Sequence, residues 1–306
     1  MRPPLNLPGP QVSKMKLTTI ETGYFKLDGG AMFGVVPKTI WQKSNPADDN
    51  NLCSWALRCL LVEEGNRLVL VDTGIGDKQD AKFFGYYHLH GDYSLESSLK
   101  ILGYTREDIT DVFLTHLHFD HCGGAIKRVG DKLVPAFPNA VFWSNQDHWA
   151  WATVPNAREK ASFLPENIVP IHESGKLQLV KTGKESDFVT REISRLEEIP
   201  FIKDFSVRIV NGHTRAMMLP QLQYKGRTVV FMADLLPSVG HLPLPYVMSY
   251  DMFPLTTLKE KKSFLDEALE KDYVLFFEHD PRFECCTIQK GEKGIRVKDL
   301  FSLKDL

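Results

Sequence analysis

The sequence has no apolar run approaching the roughly 18 residues that span a bilayer. No apolar core of about 7–15 residues follows the N-terminus either, so neither a membrane anchor nor a signal peptide is expected, and the expected compartment is the cytoplasm. A basic excess is also missing. With 37 Lys+Arg against 39 Asp+Glu and a net charge of -2, the chain lacks the surface that grips nucleic acid. Cysteine is sparse: Cys53, Cys59, Cys122, Cys285 and Cys286 form an odd set with no C-x-x-C spacing, which excludes a disulfide framework and reads as reduced thiols. The adjacent pair Cys285–Cys286 could be redox-active, although nothing nearby demands a bridge. Short repeats, low-complexity linkers and a G-x-S-x-G turn are absent too, so solenoid and serine-hydrolase readings have no support.

What is present is ordinary globular material: 306 residues, 43% hydrophobic and 25% charged, enough for a large core. Residues 1–15 are Pro-rich and aperiodic and read as a flexible extension; residues 16–306 read as one domain. Five apolar, β-branched-rich segments stand out, at 68–71, 112–114, 207–210, 229–232 and 274–277. Four are nearly continuous, the pattern of strands covered on both faces. Helical stripes lie between them. Leu95, Leu99 and Leu102 share a face that stops at Gly103. Thr257-x-x-Glu260 reads as a capping box opening a helix with Leu258, Leu265 and Leu269 on one stripe. The class is α/β, with sheets inside and helices outside.

The residues that follow the strands carry the chemistry. Asp72, His116, His213, Asp234 and His279 each stand where a strand hands over to a loop, the usual place for α/β sheets to present a site. The densest stretch is Thr115-His116-Leu117-His118-Phe119-Asp120-His121-Cys122-Gly123-Gly124. Imidazole and carboxylate together suit zinc and related divalent ions. In an extended turn His116 and His118 point one way, while Asp120 and His121 lie further on and can reach a second ion. Gly123 and Gly124 let the backbone turn tightly. A lone histidine is usually a satisfied surface or core residue, and His88, His90 and His148 carry no partner pattern, while His172 and His241 are unassigned. His241 lies just past Asp234 and could line a pocket. Three imidazoles and a carboxylate within six residues would be a costly polar knot beside an apolar strand unless they bind a metal.

The run His116-x-His118-x-Asp120-His121 resembles the signature of the metallo-β-lactamase superfamily, near its lactonase and organophosphate-hydrolase branch. Val71-Asp72-Thr73-Gly74, Gly212-His213-Thr214, Ala233-Asp234 and Glu278-His279 match its other motifs in order, so the likeness covers nearly the whole chain from residue 16. It implies an αββα sandwich, two mixed sheets packed face to face with helices outside. It also implies two divalent ions, zinc by default with manganese, iron or cobalt as substitutes. His116, His118 and His213 would hold one, Asp120, His121 and His279 the other, and Asp234 would bridge them. Asp72 would orient a ligating imidazole or cap its own turn. The implied reaction is hydrolysis by a metal-bridging hydroxide, with Asp120 also carrying a proton to the leaving group and Asp234 the second catalytic carboxylate.

The stretch from Gly23 to Gly34 followed by Val36-Pro37-Lys38 resembles the lactonase-type N-terminal segment, which points to lactones, esters or phosphotriesters. Phe25, Met32, Phe33, Trp41, Trp143, Trp149, Trp151 and Tyr246 could line an apolar pocket, core packing being the alternative for each. Several lactonases carry Tyr three positions after the bridging aspartate, where this chain has Pro237; Tyr246 or His241 could replace its donor. Rival readings are a glyoxalase II-type thioesterase using Lys290, Lys293, Arg296 and Lys298, a ribonuclease Z-like phosphodiesterase, and a non-enzymatic metal-binding protein. The expected partner is a small-molecule substrate, with no nucleic acid and no membrane. In some relatives the Pro-rich start and Gly29–Phe33 stretch form a dimer contact, so a homodimer is an open expectation.

Overall fold

A computed structural model describes residues 15–180, 198–292 and 294–306. The first sheet is built from β1 (Lys16–Asp28), β2 (Leu52–Glu64), β3 (Arg67–Val71) and β4 (Asp111–Phe113), after which a small hairpin, β5 (Ile126–Val129) and β6 (Lys132–Pro135), stands apart. β7 (Val141–Asn145) and β8 (Leu177–Val180) then complete that sheet in the order β1-β2-β3-β4-β7-β8. The second sheet runs from β9 (Glu198–Ile202) through β10 (Phe205–Val210), β11 (Met217–Tyr224), β12 (Arg227–Phe231), β13 (Val274–Phe276) and β14 (Cys285–Gly291) to β15 (Gly294–Phe301), each strand beside the next. Both sheets are mixed. β1, β2 and β3 pair antiparallel while β3, β4, β7 and β8 pair parallel, and β12–β13 is the one parallel pair of the second sheet.

The five strands read from the sequence are β3, β4, β10, β12 and β13, and their apolar runs have the cause expected. Val69 and Val71 face the second sheet, packing with Val207, Phe231 and Phe276. Leu68 and Leu70 face outward with Leu95 and Leu99 of α4 (Leu95–Ile101) and Ile168 and Ile171 of α7 (Pro165–Glu173). On the other side α8 (Pro254–Glu270) packs Phe264, Leu265 and Ala268 onto the second sheet's core. The remaining helices are α1 (Gly29–Phe33), α2 (Lys38–Trp41), α3 (Ala81–Tyr87), α5 (Phe119–Cys122) and α6 (Gln146–Thr153). Helix, sheet, sheet, helix is the αββα sandwich.

Several local expectations change. Residues 1–14 of the Pro-rich extension lie outside the described residues, but Met15 is buried in the inter-sheet core. α8 opens at Pro254 behind Phe253, not at Thr257. The expected capping box fails because Glu260 is taken by a distant segment: its carboxylate accepts from Asn211 N at 2.7 Å and Gly212 N at 2.9 Å. The buried face of α8 is accordingly Thr257, Glu260, Lys261, Phe264, Leu265 and Ala268, with Leu258 and Leu269 only half-buried. Gly123 and Gly124 serve close approach rather than a left-handed turn, since a Cβ on them would collide with the carbonyls of Ile75 and Thr73. Cys285 and Cys286 lie consecutively on β14, opposite Phe301 and Leu300, and are buried free thiols. Alternation along a strand points them to opposite faces. Burial pushes both thiols up, which leaves them poor nucleophiles.

Candidate metal centre

The parallel strands end together at one edge of the sandwich, and the loops leaving them converge. Asp72 follows β3 in a left-handed conformation (φ 57°), which lets its carboxylate turn back under the loop after β4. It accepts from Thr115 N at 2.7 Å and Thr115 Oγ1 at 2.6 Å, and from His121 Nδ1 at 3.1 Å. That loop carries His116 and His118 and enters α5 with Asp120 and His121. His213 comes after β10, Asp234 after β12 and His279 after β13.

Three clusters of ligand-type side chains result, of which the third, Asp72, His121 and Glu278, lies on the Nδ1 side of His121 and the other two meet at Asp234. His116, His118, His213 and Asp234 present four atoms within 4.8 Å of one another, as do Asp120, His121 and His279. In the first group His118 Nδ1 is 3.1 Å from both His116 Nε2 and His213 Nε2. Asp234 Oδ2 is 3.1 Å from His213 Nε2 and 3.9 Å from His116 Nε2. In the second, His121 Nε2 and His279 Nε2 are 3.2 Å apart, and Asp120 Oδ2 is 3.7 Å from each. Asp234 touches both groups: Oδ1 is 3.2 Å from His279 Nε2 and Oδ2 is 3.6 Å from His121 Nε2.

The outward nitrogens settle what these contacts are. His118 Nε2 meets Glu159 Oε1 at 2.9 Å, and His213 Nδ1 meets Asp251 Oδ1 at 2.9 Å. His279 Nδ1 meets Ala56 O at 2.7 Å, and His121 Nδ1 meets Asp72. His116 Nδ1 lies 3.1 Å from Thr115 Oγ1, whose own proton goes to Asp72. Each outward nitrogen therefore carries the proton of a neutral ring and donates it. The inward nitrogen is then available to a metal ion, and five such nitrogens face one another and Asp234. Nitrogens at 3.1–3.2 Å need positive charge among them, which a metal ion supplies or, without metal, the protons that Asp234 holds on His213 and His279. Asp234 Oδ1, buried without a hydrogen-bond donor, has the same need. Zinc–nitrogen bonds of about 2.0–2.1 Å give a tetrahedral edge of about 3.3 Å, close to the spacings found. The donor set fits divalent metal ions.

Without metal the site is electrostatically split. Burial and the neighbouring rings hold His116 well below the usual imidazole range. Burial also opposes charge on His213 and His279, but the Asp234 carboxylate outweighs it and pushes them up to about 10 and about 9. Burial alone would raise Asp234, yet His213, His279 and His121 together hold it well below the usual carboxylate range.

Sequence reasoning missed the outer residues. Glu159 also accepts from Trp151 Nε1 at 2.7 Å, and burial is outweighed by His118 so that its carboxyl sits at about 2. Glu278 is fully buried, and its Oε2 lies 3.0 Å from His121 Nδ1 without the alignment for a hydrogen bond. Burial pushes that carboxyl up. His148, read as unpartnered, is buried: its Nε2 accepts from Leu117 N at 2.8 Å while Nδ1 donates to Arg215 O at 2.6 Å, which fixes the backbone between two ligands. His88, His90 and His172 are not in the centre.

A cavity of about 370 Å³ opens over the ligands, lined by Leu27, Met32, Tyr87, Phe119, Met248, Tyr250 and Met252 beside Arg158, Glu159 and Ser162. Of the aromatic and methionine residues expected there, only Met32 is present. Phe25, Phe33 and Trp41 are packed with Trp55 into their own core cluster, and Trp143 stands edge-on to Phe201 and donates to Asp111 at 2.7 Å. Tyr246 packs edge-on against Phe33. His241 is stacked on Phe33 and spends Nε2 on Met32 O at 2.9 Å, so it has no proton there for a substrate. Lys290, Arg296 and Lys298 are exposed on the β14–β15 hairpin and line no part of the cavity; Lys293 lies outside the described residues.

The profile of the metallo-beta-lactamase superfamily matches residues 58–279. No curated protein sequence matches the chain. Among solved structures, a probable metal-dependent hydrolase from Staphylococcus aureus superposes with a TM-score of 0.82 at 24% identity, covering 97% of this chain and 99% of the other. AidC, a dizinc quorum-quenching lactonase, gives 0.73 at 20% identity, covering 95% and 97%. The hydrolase AbOPH of the beta lactamase superfamily gives 0.72 at 21%, covering 95% and 96%. At these identities the likeness is one of fold.

Proposed function

The chain belongs to the metallo-beta-lactamase superfamily, and from that premise we propose that it is a dinuclear metal-dependent hydrolase of a lactone, ester or phosphotriester. The observation that carries this reading is the convergence of five inward imidazole nitrogens around Asp234, every ring held from behind by an acceptor. His116, His118 and His213 would hold one ion, Asp120, His121 and His279 the other, with Asp234 between them. Zinc suits this donor set best. When bound, such ions supply a Lewis acid and an activated water.

The chain's own residues do the rest. Asp120 belongs to the second ligand group and also lines the cavity, so it is the carboxylate placed to take the proton released by the attacking water and give it to the departing oxygen. Leu27, Met32, Phe119, Met248 and Met252 exclude water and favour a neutral, partly apolar small molecule. Arg158 is the one lysine or arginine of the lining, which suits neither an RNA backbone nor a glutathione moiety. No described helix is long and apolar enough to cross a membrane.

The test is turnover of a lactone, a paraoxon-type triester and a glutathione thioester by one preparation of the metal-loaded protein. Lactone or triester hydrolysis is expected. Thioester turnover alone would replace the reading with a glyoxalase II-type one, and inactivity towards all three would remove it.

A further inference from the structure

We propose that Tyr87 and Tyr250 are a pair of phenolic donors that hold the departing oxygen of the substrate. This rests on the hydrolase reading above and adds residues that neither the metal ligands nor the sequence motifs include. Both side chains line the cavity, and among the described residues neither hydroxyl has a hydrogen-bond partner. The rest of the lining is short of free donors. Its methionines, Leu27 and Phe119 have none, Arg158 is drawn to the carbonyl of Ser249, and the only other hydroxyls among the described lining residues are the short side chains of Ser162 and Ser249.

Placement ties the phenols to one half of the site. Tyr87 is the last residue of α3, where His88 turns the chain in a left-handed conformation (φ 45°). Its ring is wedged between Phe83 at 4.9 Å and Phe119 at 4.8 Å, with Phe25 at 6.5 Å. Phe119 precedes Asp120, and the Phe25 ring lies 5.6 Å from that of His279. Tyr87 thus stands on the Asp120–His279 side. Tyr250 arrives from another segment, anchored by Ser249 N to Ala31 O at 2.8 Å and by Met252 N to His213 O at 2.9 Å. Burial pushes both phenols up and the nearby Asp120 carboxylate adds to it, so both keep their protons.

Donors aimed at an oxygen that gains charge stabilise the transition state more than the ground state. Water's oxygen bonds to the acyl carbon or phosphorus, and Asp120 takes the proton it releases. The bond to the departing oxygen breaks with its electron pair left on that oxygen, which receives the proton from Asp120. The phenols keep their protons and only donate hydrogen bonds. Substrates with poor leaving groups should depend on them most.

The experiment compares wild type with Tyr87→Phe, Tyr250→Phe and the double variant on esters of one acid, from nitrophenyl to alkyl. Bound metal per chain is measured throughout. With metal content unchanged, the double variant should lose roughly 100-fold in kcat/KM on alkyl esters and less than about threefold on the nitrophenyl ester. Equal losses across the series, or none, would overturn the assignment. A wild type that hydrolyses no ester, lactone or triester would instead remove the hydrolase reading, and binding then decides the phenols separately. A 4-hydroxyalkanoate should bind wild type about tenfold more tightly than the alkanoate of equal length, and the double variant should lose that preference. No preference in wild type, or the same preference in both proteins, would overturn the proposal.

Discussion

On the His116–His118–His213 side of the centre each imidazole has an acceptor of its own, Thr115, Glu159 or Asp251, whereas on the other side Asp72 and Glu278 crowd the single Nδ1 of His121 and a main-chain carbonyl serves His279. Two of the first side's acceptors, Glu159 and Asp251, come from loops at 156–162 and 242–253 outside the two sheets, and only Thr115 follows a strand, β4. The second is wired into strand ends: Ala56 lies on β2, Asp72 follows β3 and Glu278 follows β13. A ring held by a loop carboxylate can be loosened without touching the core, while a ring held by strand backbone cannot. If each group holds an ion, as proposed, the two positions should differ in how readily they are emptied.

The largest effect expected removes what the halves share. Asp234→Ala should leave fewer than two ions per chain and lower turnover at least about 10³-fold; two ions with full activity would break the picture of a shared carboxylate. Asp120→Asn should come next, lowering kcat about 10²-fold or more with a smaller change in KM. Equal activity would remove its proton-carrying role. The halves are separated by His118→Ala and His279→Ala, each expected to release one ion and keep the other, read by metal content after gel filtration. Loss of both ions from either variant would show one indivisible site. A finer contrast is Glu159→Gln, which should weaken the first ion about 10–100-fold because the ring behind it loses its charged acceptor. An unchanged affinity by competition with a chelator would make that acceptor redundant.

The smallest effect is one of pH on the metal-free protein. His213 and His279 are raised to about 10 and about 9 from an ordinary value of 6.5. Their contribution to stability is fully present below about pH 6.5, declines above it, and is gone once both have lost their protons near pH 10. Thermal melts of chelated protein should fall across that window, and metal-loaded protein should not follow, since the ions replace those protons. A flat profile for the chelated protein would contradict the ring pairing with Asp234.

What could be read from the sequence and what could not divide along the same physical line. The His116–His121 run and the strand-end aspartates and histidines are local: a buried strand followed by ligand-type residues leaves a mark in one dimension. The two-face burial of β3 and β12 is legible for the same reason, as unbroken apolar runs. Glu159, Asp251 and His148 are not, because each is an ordinary polar residue until the fold carries it to a particular nitrogen. Glu260 shows the converse. Its spacing from Thr257 favoured a cap, and the backbone of Asn211 and Gly212 outcompeted that local partner. The aromatic residues expected in the pocket failed likewise, since Phe25, Phe33 and Trp41 complete a core beside it while Tyr87 and Tyr250, with no local pattern, face the cavity.

The proposal stands or falls on whether two ions bind and whether Asp234 joins them. It is tested most directly by metal content per chain on protein purified without added metal and again after dialysis against zinc, for wild type and Asp234→Ala together. Close to two ions are expected for wild type and fewer than two for the variant. One ion or none in wild type after zinc, or two in the variant, would contradict it.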